Sequence, residues 1–204
     1  MTSHAADTTA FRSLVHKLSP SITKMIRMDH SHVLLTFHGY QPDTSPARKQ
    51  GIVDTLCLAL EIHAQLEEEI FYPAMAEVAG GNEVLAKAKP EHDDMRRLIG
   101  ELRAMAPGDL AYDETVMALM RDVMHHVADE ETVLLPEAER LLAGRLEALG
   151  AQMTKRRLQL AGPKAPQIAI NSVKAMPAGA MLMAGGLIAG GWLLSRAWRG
   201  TARM

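Results

Sequence analysis

The sequence predicts an all-α fold: an up-down-up-down four-helix bundle followed by a C-terminal hydrophobic helix. Three observations lead there. Aromatic residues make up only 4% of the 204-residue chain, while Ala, Leu, Met, Glu, Lys and Arg dominate, a composition that suits helices rather than sheets. Four amphipathic stretches, roughly Ser21 to His38, Pro46 to Ala79, Glu91 to Ala106 and Glu114 to Leu149, are separated by turn-forming residues. Beyond them, Ala175 to Ser195 is a run of 21 residues without a charge, bracketed by Lys174 and Arg196, long enough for one membrane-spanning helix.

Each element has its own punctuation. Residues 1–20 form a lead-in segment, in which Phe11 to Leu18 predicts a short helix broken at Ser19-Pro20. After the first bundle helix, the loop Tyr40 to Ser45 ends with Ser45 as a cap and Pro46 at the first helical position. Gly80-Gly81-Asn82 ends the second helix in the manner of a left-handed C-cap, and a weaker helical piece leads to Pro90, which restarts the chain into the third. Pro107-Gly108-Asp109 closes the third helix, and Asp113 is placed to cap the fourth. These signals put the bundle domain at residues 21–150. Lys155-Arg156-Arg157 and Ala161-Gly162-Pro163-Lys164-Ala165-Pro166 then read as a basic linker over 151–174. The spanning helix follows at 175–197, and a basic tail at 198–204.

Composition narrows the function. With a net charge of -2 and no basic stripe in the first 150 residues, electrostatic capture of nucleic acid is not expected. The single cysteine, Cys57, has no internal disulfide partner and sits in the apolar run Leu56 to Leu60, where it reads as a small buried hydrophobe in a reducing setting. Met1 to Ala10 is polar, without the cationic start and apolar core of a secretory signal.

The chemistry lies in a repeat. His63 precedes Glu67 by four residues and His126 precedes Glu130 by four, so each pair shares one helix face, one turn apart. Two such pairs prove little by themselves. The surroundings, however, repeat: His63-Ala-Gln-Leu-Glu67-Glu68 running to Pro73 matches His126-Val-Ala-Asp-Glu130-Glu131 running to Pro136. His30 lies 33 residues before His63, and His92 lies 34 before His126. Each interval holds half a helix, a turn and half of the next helix, so an up-down-up-down bundle returns all four imidazoles to one level. Four nitrogen donors and two carboxylates without thiolate suit iron, and zinc or manganese less selectively. A di-iron centre is the expected occupant.

Over Ser21 to Leu149 the sequence resembles the hemerythrin-like HHE cation-binding domains. The likeness is carried by Met28-Asp29-His30, His63-Ala-Gln-Leu-Glu67 with Phe71-Tyr72-Pro73, Glu91-His92, and His125-His126-Val-Ala-Asp-Glu130. It implies non-haem di-iron binding with His30, His63, His92 and His126 as terminal ligands and Glu67 and Glu130 as bridges. Oxygen-carrying hemerythrins place a further histidine one turn after the third-helix ligand, where this chain has Arg96, and end with His and Asp five apart, where it has Glu130 four after His126. That departure counts against reversible oxygen carriage.

The leading expectation is a protein that binds or senses oxygen, nitric oxide or peroxide. The alternatives are a di-iron enzyme that decomposes peroxide or oxidises iron, and a storage or scaffold bundle. His32, His38 and His125 are read as spare histidines, Asp29 and Asp129 as groups that can orient ligands, and Met117, Met120 and Met124 as core. Five Lys or Arg from Lys155 to Lys174, against three after the charge-free run, place the domain on the cytoplasmic face of a membrane. Gly186 and Gly190 offer a small-xxx-small face for pairing two such helices.

Overall fold

A computed structural model of the chain describes residues 19–175. The first bundle helix, α1, spans Ile22–His38. α2 is a continuous rod of Pro46–Leu66, a π-helical turn Glu67–Phe71, and Tyr72–Ala76. α3 spans Glu83–Ala104. α4 repeats the design of α2, with Tyr112–Asp129, a π-helical turn Glu130–Leu134, and Leu135–Leu141. α1 packs along α2 and α3 along α4. No strand occurs among the described residues.

The two π turns have a common cause in the repeat. Pro73 and Pro136 carry no N–H, so a regular ladder fails just ahead of them. The Tyr72 and Leu135 N–H groups reach instead to the carbonyls of Glu67 and Glu130, five residues back. Each π turn therefore starts on the glutamate of a His-Glu pair.

Two apolar clusters fill the bundle. One gathers Ile22, Ile26, Leu66, Phe71, Met75 and Leu134; the other gathers Val33, Leu56, Leu60, Met95, Leu119 and Val123. Each helix crosses from one to the other, and the polar layer lies at the crossing. His30 falls between Ile26 and Val33, and His63 between Leu60 and Leu66; His92 falls between Ala88 and Met95, and His126 between Val123 and Leu134. Apolar burial on both sides thus holds the polar layer at a fixed depth.

Several boundaries differ from the sequence reading. α3 begins at Glu83, because the Asn82 side chain caps it by accepting the Leu85 N–H at 2.9 Å; Pro90 lies within the helix and does not restart it. Gly81 does take the left-handed conformation expected of the turn (φ 88°). Pro46 opens α2 as expected, but the Ser45 side chain makes no cap bond; its carbonyl accepts the Arg48 and Lys49 N–H groups. Asp113 does not cap α4, which starts one residue before it. Its carboxylate instead accepts the buried Lys49 ammonium at 2.8 Å and the Tyr40 hydroxyl. Met120 is buried, but Met117 and Met124 are 52% and 56% exposed and are not core. Cys57 is buried, which pushes its thiol up to about 12.

The largest correction is beyond α4. The fourth helix ends at Leu141, where Leu142 leaves helical backbone (φ −106°, ψ 18°), and a second helix, α5, spans Leu146–Ala161. The turn lets Leu149 and Met153 bury against the first apolar cluster. The expected linker is therefore structured: a short 3-10 turn Gly162–Lys164 leads into α6, Ala165–Ala175. Its prolines do not break helix because they stand in first turns, where no donor is required. α5 lies on α1 and α2, and α6 lies along α2.

Both additions need close backbone approach. A Cβ on Gly51 would meet Lys174 Cβ at 2.6 Å, and one on Gly150 would drive into the Pro20 carbonyl. Gly150→Ala is expected to cost about 1–3 kcal/mol by overpacking and to lower the melting temperature by roughly 2–12 °C, measurable by thermal denaturation. Among the described residues no helix is long and apolar enough to cross a membrane. The charge-free run after Ala175, and the lead-in helix at Phe11 to Leu18, lie outside the described residues.

Candidate metal centre

The structure brings His30, His63, Glu67, His92, His126 and Glu130 into one buried layer. Their donor atoms fall into two groups, His30, His63, Glu67 and Glu130 in one and Glu67, His92 and His126 in the other, each within 4.8 Å of one another. Glu67 belongs to both. His30 Nε2 lies 3.2 Å from Glu130 Oε2, His63 Nε2 lies 3.2 Å from Glu67 Oε2, and His92 Nε2 lies 3.4 Å from that same oxygen. Glu130 Oε2 is 3.7 Å from His126 Nε2.

The outer nitrogens are held just as regularly. His63 Nδ1 faces Asp29 at 3.5 Å and His126 Nδ1 faces Glu91 at 2.8 Å; Asp29 and Glu91 immediately precede the other two histidines. His30 Nδ1 faces Glu131 at 2.8 Å and His92 Nδ1 faces Glu68 at 3.0 Å; these are the second glutamates of the repeated Glu-Glu pairs. Every imidazole is thus turned by a carboxylate on its Nδ1 so that Nε2 points inward, the arrangement that orients histidine toward a metal. Asp29 was foreseen as such a group. Glu68, Glu91 and Glu131 were missed, although the doubled glutamate of the repeat carried the signal. Asp129 pairs with Lys87 instead, and His32, His38 and His125 are exposed.

Electrostatics favour a cation here. Glu67 and Glu130 are both fully buried. Burial and the neighbouring Glu130 charge raise Glu67 well above the usual carboxylate range. In Glu130 burial is opposed by the His30 ring nitrogen 3.2 Å away and by the nearby His126 imidazole, which hold it down to about 2. Burial lowers His63, and burial with the His126 and His63 charges lowers His92 to about 2. Both shifts favour the neutral imidazole, the form that ligates a metal. His30 Nε2, His63 Nε2, Glu67 Oε1 and Glu130 Oε2 are buried and make no hydrogen bond, a cost that a shared cation would relieve. The donor set and these four inward atoms fit a metal.

The family model of the Hemerythrin HHE cation binding domain matches residues 10–138. This chain belongs to that family. The HHE domain here is also similar to a DNA nickase of Nostoc sp. (strain PCC 7120 / SAG 25.82 / UTEX 2576), 30% identical over 118 residues, or 58% of this chain and 33% of the relative. The chain thus spans about a third of that curated relative's length. In fold it resembles a crystal structure of an HHE cation binding domain-containing protein from Mycobacterium kansasii, with a TM-score of 0.61, 18% identity, and cover of 76% of this chain and 99% of that one.

α5 lies after the HHE match and still reaches the centre. The Arg157 guanidinium grips both oxygens of Asp29, the carboxylate behind His63. Although burial raises Asp29, its bonds to His63 and Arg157 bring it down to about 2. Arg157→Ala is expected to loosen the His63 side and weaken metal retention by roughly 10–100-fold, the usual effect of losing such a support. Competition with a graded chelator series measures it; unchanged retention would show that Asp29 holds His63 unaided.

Proposed function

We propose that the HHE domain is a non-haem di-iron protein that binds or senses a small molecule such as oxygen, nitric oxide or peroxide. In this reading His30, His63, His92 and His126 are terminal ligands and Glu67 and Glu130 bridge. The observation that carries it is a small cavity beside the four histidines. It measures about 20 Å³ and is lined by the four histidines with Val33, Leu60, Met95, Ile99 and Val123 among its apolar walls. That space holds one molecule about the size of water, so it fits a diatomic ligand or peroxide and gives no room for a mineral core. Bound iron would supply the open coordination position, and the apolar walls would keep bulk water from competing for it.

Arg96 also lines this cavity, with its guanidinium paired to Glu68 and Asp93 at 2.8 Å each. It stands where oxygen carriers have a further histidine, which favours sensing or transient binding over carriage. Exposing the reduced, iron-loaded protein to oxygen, nitric oxide and peroxide in turn tests the reading. A stable spectral adduct with one of them supports binding. Steady peroxide consumption without an adduct would assign the centre to an enzyme instead.

The same reading places the domain at the cytoplasmic face of a membrane, with the charge-free run from Ala175 to Ser195 as anchor and its glycine face as a route to self-pairing. Because α6 packs on α2 up to Ala175, the informative truncation falls after Ala175 and not within α5. That truncated chain is expected in the soluble fraction with its iron retained. Finding the full-length chain soluble without detergent would remove the anchor from the reading.

A further inference from the structure

α6 is packed inside out. Of its eleven residues the buried one is Asn171, at 3% exposure, while Ile168, Ile170 and Val173 are exposed. A helix laid on an apolar neighbour ordinarily turns its apolar stripe inward. Here the buried group is an amide whose nitrogen can donate two hydrogen bonds, and that nitrogen meets no acceptor. Asn82, by contrast, has its amide nitrogen bonded to Glu137.

The unmet donor lines a cavity. Between α1, α2 and α6 lies a space of about 120 Å³, with Leu58, Ala59, Ile62 and Ile168 as apolar walls and Thr55 beside Asn171. The Thr55 hydroxyl is already committed to the Gly51 carbonyl at 2.8 Å. A second space of about 180 Å³ shares the walls His32, Ala59 and Ile62 and runs under α5 to Asp29, His63 and Arg157. There Arg157 Nε is also buried without a partner, while the other guanidinium nitrogens are held by Asp29. The two spaces make one slot, with the exposed His32 at its opening and an unmet N–H in each half.

Size and chemistry define the occupant. An apolar cavity of about 150 Å³ takes up a benzene-sized molecule, so there is room for a ring. Ordered water needs roughly two to four polar partners, more than these walls supply. An apolar body displaces poorly ordered water favourably, and an oxygen acceptor on it would meet the waiting N–H.

We propose that this slot binds a small, mainly apolar organic molecule carrying a hydrogen-bond-accepting oxygen, of the class of an aromatic ketone, with Asn171 as the anchoring donor. Its inner end shares Val33 and His63 with the metal cavity, so the occupant lies beside the centre without entering it. The site goes beyond the di-iron reading and stands whether or not iron is the metal.

The test titrates acetophenone and ethylbenzene, which are alike in size and differ in the carbonyl oxygen, into the full-length chain labelled with nitrogen-15 at asparagine. The chain has two asparagines, Asn82 and Asn171, so the Asn82 side-chain amide is the internal control. Both probes are expected to bind, acetophenone about 3–10-fold more tightly, the gain from one hydrogen bond to an unmet donor. Acetophenone should move the Asn171 amide signals and leave those of Asn82 in place. Asn171→Leu should erase the difference between the probes, and Ala59→Phe, which fills the wall common to both halves, should abolish binding of each. Equal affinities in the native chain overturn the anchoring role of Asn171, as does a difference that survives Asn171→Leu. Binding of neither probe up to its solubility limit overturns the site. The native-chain comparison decides the matter even where a variant fails to fold.

Discussion

Glu67→Gln is expected to empty both metal positions, whereas His126→Ala is expected to empty one. The carboxylate of Glu67 is the only group common to the two donor clusters. The glutamine keeps its size but removes one of the two bridging negative charges that offset repulsion between two cations, leaving Glu130 as the single bridge. Iron content should fall from about two per chain to well under one. His126→Ala leaves His30, His63, Glu67 and Glu130 intact as a four-donor group, so about one iron should remain. Metal analysis of the purified variants decides it. Full loading of Glu67→Gln would show that the carboxylate is only a buried acid. Equal, total loss in both variants would show that the two positions fill together.

The second large effect is on stability. A metal that binds the folded chain at a free concentration a thousandfold above its dissociation constant contributes about 4 kcal/mol. For a chain of this size, removing it should lower the melting temperature by roughly 8–16 °C. Above the ordinary histidine value of 6.5, where the depressed His63 and His92 no longer add a slope of opposite sign, the gap should widen as pH rises, for two reasons of the same sign. Protons compete with the metal for its ligands, so loading improves with pH. In the stripped protein, Glu67 is raised above its ordinary value of 4.5, so the native state holds a proton that the unfolded chain has lost, and stability falls with rising pH across the window from 4.5 upward. Glu130 is depressed to about 2, so its contribution is present above the ordinary carboxylate value and is lost only in strong acid. Melting curves with and without chelator, at neutral and mildly alkaline pH, measure the gap. A gap that is constant or narrows with pH would contradict this account of Glu67.

Much of this was legible in the chain alone. Helical composition and punctuation determined an all-α fold with α1 as read and α2 opened by Pro46. The His-Glu repeat and the 33- and 34-residue intervals singled out the six residues that the structure gathers, because periodicity in a bundle dictates which side chains share a face and a level. What tertiary structure alone decided concerns groups whose partners are remote in sequence. Arg157 looked like part of a linker until α5 folded back on Asp29, 128 positions away. Lys155 to Lys174 read as a basic connector because nothing local shows that Leu149 and Met153 find an apolar cluster, or that Gly51 admits Lys174. Asp113 read as a helix cap because its true partner, Lys49, comes from another helix. Tyr72 passed as part of a family motif, since only the π turn brings its hydroxyl back to Glu67, at 3.2 Å. Local propensity and spacing are written in short stretches of sequence. Which charge meets which, and what a turn of irregular pitch aims inward, depends on the packing of helices that the chain joins only at a distance.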